Sequence, residues 1–381
     1  MAVPAPVSDS RMAVSIHTNP EAIGPAWRLL EATGIGTGYQ TASWAKAWFS
    51  TCTADAGRAP LVCLFGSPEA PAGILPLEIA EVGLAKVGRG PGGRHANFRG
   101  ILMAPEAGGL PWGRLLAAAA SAARIDAILL ANQIVETPAG RHPLVDLPQS
   151  RPSLAYAGRL DLTADPDETL AKVLGKGSRK TMGKKMRHLA AFGPLSMRRA
   201  ETAEDVKSLM DLFFREKSTR LAELGVPDAF ADPAVQAFLI EATRPETGAL
   251  RLHGAWCGDR PVAMFGGTEL GGRLSGCINA HELDPEIARC SPGDLLFAEV
   301  IRDAASRGLS VFDLGVGHGP LKARFCERDE PMFDTAIAVS PLGTCALLML
   351  SAADWMKETI KRDERIAGPA RRIAGWLGAL R

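Results

Sequence analysis

The chain has no excess of charge of either sign: 43 Lys and Arg stand against 42 Asp and Glu over 381 residues, a net of +1. Without a global field, binding to nucleic acid or an acidic membrane has to come from a local cluster. Paired cysteines are also lacking. The seven thiols, Cys52, Cys63, Cys257, Cys277, Cys290, Cys326 and Cys345, are odd in number and scattered, with no CxxC and no histidine spaced for zinc. This pattern excludes a disulfide framework, predicts reduced, mostly buried thiols and offers no metal site. Long hydrophobic runs are missing too. The stretch from Leu115 to Ala131 is broken by Arg124 and Asp126, Cys345 to Met349 is short, and MAVPAPVSDSRMAV has no apolar core of a leader. A cytoplasmic protein is the expectation. With 46% hydrophobic and 22% charged residues, the composition is that of a globular chain long enough for two domains.

Apolar spacing predicts helices over 21–32 and 43–51, then a hairpin in which RAPLVCLFG and ILPLEIAEV flank the turn-forming SPEAPAG. Gly88 to Gly93 is read as loop, HANFRGILMA as a strand, GRLLAAAASAA as a helix and 125–131 as a strand. The second half repeats this order. Thr202 and Asp205 cap a helix with an apolar stripe at Val206, Leu209, Met210 and Phe213, and a further helix covers 233–243. Three strands, 249–257, 260–270 and 273–280, are separated by Gly258-Asp259 and Gly271-Gly272 and form an antiparallel meander. A helix over 291–307 and strands over 309–314 and 334–339 complete it. The same order twice, about 190 residues apart, predicts an α+β fold of two tandem units, 14–158 and 159–343, with a helical tail over 344–381.

The richest stretch is INAHELDPEIARCSPGDLLFAEVIRDAASRGLSVFDLGVGHGPLKARF. SPGD places Ser291 at an N-cap and Pro292 at the first helical position. The start of that helix, through Gly293, Asp294 and Leu295, then presents unpaired amides to an anion. VFDLGVGHG has the look of a methyltransferase nucleotide loop, but such a loop opens a parallel sheet with several strand–helix units still to come. Only some 60 residues remain. Asp313 and His281 each sit where a strand meets its loop, so both are candidate bases; a turn-capping role for Asp313 and a solvated loop for His281 stay open. His318, in the Gly-rich turn, and Arg220, on the long helix, are candidate substrate contacts.

Antiparallel strands, an anion-ready helix start and one more strand resemble the acyl-CoA N-acyltransferases of the GNAT superfamily. GSRKTMGKKMRHL, FADPAVQAFL, DRPVAMFGG, SPGDLLFAEVI and GLSVFDLGVGHGPLKARF are similar to the cellulose-biosynthesis acetyltransferases of the CelD/BcsL type, related to the Fem aminoacyltransferases. The resemblance covers residues 160–340 well and the first half more weakly, through ILPLEI. It implies acetyl-CoA or a longer acyl-CoA as co-substrate, with Cys277, Ile278 and Asn279 along the pantetheine arm and Ser291 to Leu295 at the pyrophosphate. It also implies transfer to an amine of a saccharide, lipid precursor or small metabolite. Ala288 to Gly293 match the family's phosphate loop only approximately. Relatives carry Tyr-Lys where this chain has Leu321-Lys322; Lys322 would suit an acidic substrate group, but the family's tyrosine acid is missing. An aminoacyl-tRNA-dependent transferase of the Fem kind and a non-catalytic binding protein remain alternatives.

Nine basic residues, from Lys172 through Lys185 to Arg199, occupy 28 positions without an acid. They read as an anion-binding face, a nucleic-acid patch or a solvated helix. No aromatic precedes Phe192, so specific nucleic-acid binding is not expected. The tail, with Trp355 and Trp376, admits at most a peripheral membrane contact, and Gly368-Pro369 breaks it. Nothing in the sequence sets an oligomeric state.

Overall fold

The computed structural model describes residues 13–52, 60–245, 248–317 and 319–362. The first half contains β1 (Val14–His17), α1 (Gly24–Thr33), α2 (Ala42–Cys52), β2 (Pro60–Gly66), β3 (Pro71–Val82), β4 (Ala85–Arg89) and β5 (Leu102–Met103). After these come α3 (Trp112–Ala122), β6 (Ala127–Ile134), the small hairpin β7 (Glu136–Thr137) and β8 (Gly140–Arg141), and the long β9 (Ser150–Asp161). The second half opens with α4 (Pro166–Val173), α5 (Lys176–Leu189), β10 (Leu195–Arg199), α6 (Ala203–Glu223) and α7 (Pro233–Ala242). It continues with β11 (Arg251–Cys257), β12 (Arg260–Leu270), β13 (Arg273–His281), α8 (Pro285–Ala288) and α9 (Pro292–Ser306). The last elements are β14 (Val311–Val316), α10 (Pro320–Phe325), β15 (Arg328–Ala338) and α11 (Pro341–Arg362).

Among the described residues, thirteen strands form one sheet in the order β1-β2-β3-β4-β6-β15-β9-β14-β13-β12-β11-β10, with β5 paired to β3. Its mixed, mostly antiparallel strands carry helices on both faces, the expected α+β architecture. Residues 71–78 of β3 are buried without interruption, as a strand covered on both sides must be. Antiparallel β2-β3-β4 runs into a parallel β4–β6 pair through α3, and β11-β12-β13 runs into a parallel β13–β14 pair through α9. The tandem order read from the sequence is therefore present in the topology. Long α6 starts at the expected cap: the Asp205 amide donates to Thr202 Oγ1 (3.0 Å), and Leu209, Met210, Leu212 and Phe213 are buried beneath it.

The two halves exchange their closing strands. After β6 the chain crosses as β9 to pair with β14, and after β14 it returns as β15 to pair with β6, while β9 and β15 pair with each other. The boundary expected at 158/159 thus falls inside β9. That strand escapes sequence reading because Pro152 interrupts it and its first half is largely exposed. Another departure is HANFRGILMA, where only Leu102 and Met103 are strand; the preceding residues leave the ladder for the second half. Gly88, read as loop, lies in β4.

The described cysteines are free, four of them buried. No described helix is long and apolar enough to cross a membrane. The basic end of the tail, with Trp376 and Gly368-Pro369, lies outside the described residues.

Candidate active site

Parallel β13 and β14 pair only through Arg273–Ser275 and Val311–Asp313. Beyond that point they part. β13 bulges against β12, Gly267 facing Gly276 and Gly266 facing Ile278, so Cys277 has no partner in the ladder. The result is a fork whose β13 arm ends at His281, beside the start of α9.

Ser291 holds the N-cap position but does not cap. Its φ is +51°, and its side chain accepts from none of the α9 amides; in the left-handed conformation it turns away from them. The capping role expected of it is corrected accordingly: Lys185 Nζ of the basic α5 donates to Ser291 Oγ at 2.7 Å. The first amides of α9 are left without a side-chain acceptor, and a lysine stands beside them. Together these set a positive potential at the end of β13. Asp294 partly counters it, but its carboxylate is ion-paired with Arg324.

A cleft of about 370 Å³ opens here. Its walls are Glu216, Lys217 and Arg220 from α6, Asn279, Ala280 and His281 from β13, the start of α9 through Ser291, Gly293 and Asp294, and Leu321 of α10. His281 lies against the helix start, where a Cβ on Gly293 would sit 3.6 Å from its Nδ1. Burial, reinforced by the positive charge of Arg220 and partly opposed by Asp294 and Glu216, holds the imidazole below its ordinary pKa. A neutral imidazole can accept a proton. Lys217 approaches Asn279 O at 3.5 Å, and burial followed by the neighbouring Arg220 lowers its pKa. Arg220 is the expected substrate contact on this helix; Lys217, one helical turn before it on the cleft side, carries no signal in the sequence.

The structure thus brings His281, Arg220, Asn279, Ser291, Gly293 and Asp294 together. Others lie elsewhere. Ile278 and Leu295 are core residues and Pro292 is buried, and Cys277 Sγ donates to His95 O at 3.5 Å while burial pushes its pKa up to about 12. Lys322 Nζ donates to Gly315 O (2.8 Å) and Gly317 O (2.7 Å), tying down the Gly-rich turn rather than facing the cleft. His318 lies outside the described residues.

Asp313 departs most from expectation. β14 continues to Val316, so Asp313 is inside a strand and not at a strand–loop junction. It is 0% exposed. Its carboxylate accepts from Arg273 Nε (2.7 Å), Ser275 Oγ (2.6 Å) and Gly315 N (2.8 Å). Arg273 also pairs with Glu330, which accepts from Arg159 Nη1 at 2.5 Å. Burial discourages the Arg273 charge, yet Asp313 and Glu330 more than offset this and raise its pKa. A larger cavity of about 760 Å³ lies at this other end of β13, lined in part by Phe98, Gln133, Arg159 and Arg273, and it contains none of the expected site residues. Among the described residues no cluster of His, Cys, Asp or Glu is arranged for a metal.

Residues 176–323, from α5 into α10, match the model of a family described as an acetyltransferase (GNAT) domain. No curated protein matches the chain. Among solved structures it is similar to the C-terminal domain (DUF2156) of a protein described as a lysylphosphatidylglycerol synthetase from Agrobacterium fabrum. The identity is 14%, over 88% of this chain and 96% of that one, with a TM-score of 0.52. FemX is similar at 10% identity over 86% and 98%, TM-score 0.56. At these identities the likeness shows the fold alone. A tandem GNAT protein from the clavulanic acid biosynthesis pathway aligns over 86% of this chain and 99% of its own, at 12% identity and a TM-score of 0.40. The second half therefore carries a GNAT-type acetyltransferase domain, and the chain is an acyltransferase.

Proposed function

We propose that the chain transfers an acyl group from a CoA thioester to an amine, in the cleft between α6, the end of β13 and the start of α9. The observation that carries this reading is the convergence there of unpaired helix amides, Lys185 and a neutral His281. The amides and Lys185 would hold the donor's phosphates. The pantetheine arm would run inward along the free edge of β13, past His281 and Asn279. An incoming amine nitrogen then bonds to the thioester carbonyl carbon as His281 takes its proton, and the C–S bond breaks on collapse. Lys217, beside Asn279 O, places a cation near the developing oxyanion. The departing thiolate takes its proton from solvent, since Leu321 has none to give.

The CelD-type segments favour a saccharide amine as acceptor, by analogy of family alone. The test is calorimetry with CoA and acetyl-CoA, followed by thiol release across amine acceptors; absence of binding to either refutes the reading. One observation supports a second reading, an aminoacyl-tRNA donor. α5 is joined to the cleft through Lys185 and carries exposed Lys176 and Lys180 and half-buried Arg179 in its first turns, a surface suited to a polyanion. Retention of charged tRNA, with no response to CoA, would select it.

A further inference from the structure

The cleft at the end of β13 is charged unevenly. Two carboxylates line it, and both are answered by cations outside it: Glu216 accepts from Arg215 Nε at 2.7 Å and from Leu283 N at 3.3 Å, and Asp294 pairs with Arg324. The two cations that α6 brings to the same cleft have no such answer. Among the described residues, half-buried Lys217 has only the long contact to Asn279 O and the rings of Phe213 and Phe230, at 5.9 and 6.0 Å. Asp228, whose charge reaches Lys217, accepts instead from Phe230 N at 2.8 Å. Arg220, exposed on the cleft wall, forms no ion pair among the described residues.

These cations also stand apart from the donor. Successive residues of a strand point to opposite faces of a sheet. Met264 of β12 packs into the core beneath α6 with Leu209 and Phe213, whereas its neighbours Ala263 and Phe265 pack into the core beneath α9 with Leu296 and Val300. α6 and α9 therefore cover opposite faces, and the cleft joins the two sides past the end of β13. With the donor's phosphates at the start of α9, the α6 side is left to the acceptor. From this placement we infer that the acceptor amine carries a carboxylate, which Arg220 binds. The inference rests on the acyl-CoA reading above and names the chemistry of its second substrate. A guanidinium presents a flat fork of N–H donors that matches the two oxygens of a carboxylate. Its charge lowers the pKa of His281 and of Lys217 alike, so a carboxylate held there keeps its amine within reach of the base. Lys217, one turn earlier on the same wall, retains its place near the developing oxyanion. Each α6 cation then meets its negative charge only in the loaded cleft. Two classes of molecule share this chemistry, an amino sugar acid and a free amino acid; a neutral amino sugar or an alkylamine lacks it.

The test uses matched pairs that differ in the carboxylate: glucosaminuronic acid with glucosamine, and L-alanine with L-alaninamide. Thiol release from acetyl-CoA should be at least about tenfold higher in kcat/KM for the acidic member of one pair, as a charge-assisted contact implies, and the pair that responds identifies the source. Arg220→Met should erase that ratio and Arg220→Lys restore part of it, with calorimetric affinity for acetyl-CoA unchanged in both. Equal use of acidic and neutral members in both pairs overturns the inference. So does weakened acetyl-CoA binding in Arg220→Met, which would make Arg220 a donor contact. Saturation-transfer NMR without any CoA separates this from failure of the acyl-CoA reading. An acidic member should bind the parent and not Arg220→Met whatever the donor is; no binding by either acidic member, or equal binding to Arg220→Met, refutes the carboxylate site.

Discussion

Replacing Asp313 by Asn separates a catalytic carboxylate from a structural one. The Asp313 carboxylate is fully buried, pairs with Arg273 and accepts two further hydrogen bonds, from Ser275 and Gly315. An amide has one acceptor atom in place of two oxygens and brings two donors, so at least one N–H would face the donors of Arg273, Ser275 or Gly315. Removing one partner of a buried ion pair costs about 3–5 kcal/mol. Glu330 still faces Arg273, which puts the expected loss near the lower end, about 3 kcal/mol. For domains of 150–250 residues each kcal/mol moves the melting temperature by about 2–4 °C, so the drop should be about 6–12 °C. Differential scanning calorimetry alongside thiol-release kinetics, measured well below the transition, reads both quantities. The account expects a lowered melting temperature with turnover within a few-fold of the parent. A variant that melts with the parent yet loses a hundredfold or more in turnover would make Asp313 the base and refute the reasoning.

His281→Gln should cost roughly 10²–10⁴-fold in kcat/KM, the usual worth of a general base. In the parent, the acid limb of the pH profile should fall below the ordinary imidazole value near 6.5, because burial and Arg220 favour the neutral ring; a limb above 6.5, or none, contradicts the role. His142, 6% exposed and accepting from Leu144 N through Nδ1, is lowered to about 4 by burial. The unfolded chain therefore binds the extra proton first. Its contribution is complete above pH 6.5 and is lost as pH falls towards 4, by roughly 3 kcal/mol. Denaturant titrations over this window should show His142→Leu with a flatter pH dependence; an identical slope would contradict the assignment.

Much of the second half is legible because its signals are local. Gly258-Asp259 and Gly271-Gly272 mark the turns of β11, β12 and β13, and the capping box of α6 lies at Thr202 and Asp205 as read. His281 and the start of α9 follow from the same local logic, since a strand end and a helix start adjacent in sequence must be adjacent in space. What escapes is long-range. The crossing of β9 and β15 depends on partners 150 or more residues away, and Asn97 bonds to Gly276 and Val316 across 179 and 219 residues. No periodicity in a single sequence encodes such contacts. Asp313 differs for a smaller reason: a strand that ends at Leu314 has the carboxylate at its end, whereas β14 runs on to Val316 and holds it in its interior.

The central claim is that the cleft at the start of α9 receives an acyl-CoA. Isothermal titration of the parent and of Lys185→Met with acetyl-CoA tests it directly. Lys185 contacts Ser291 beside the free amides of α9, and a charge-assisted contact of this kind is worth about 1.5–3 kcal/mol, so the substitution should weaken binding by about ten- to a hundredfold. Binding by the parent with that loss in Lys185→Met is the result the account predicts. No heat of binding in the parent, or equal affinity in the two proteins, would contradict it.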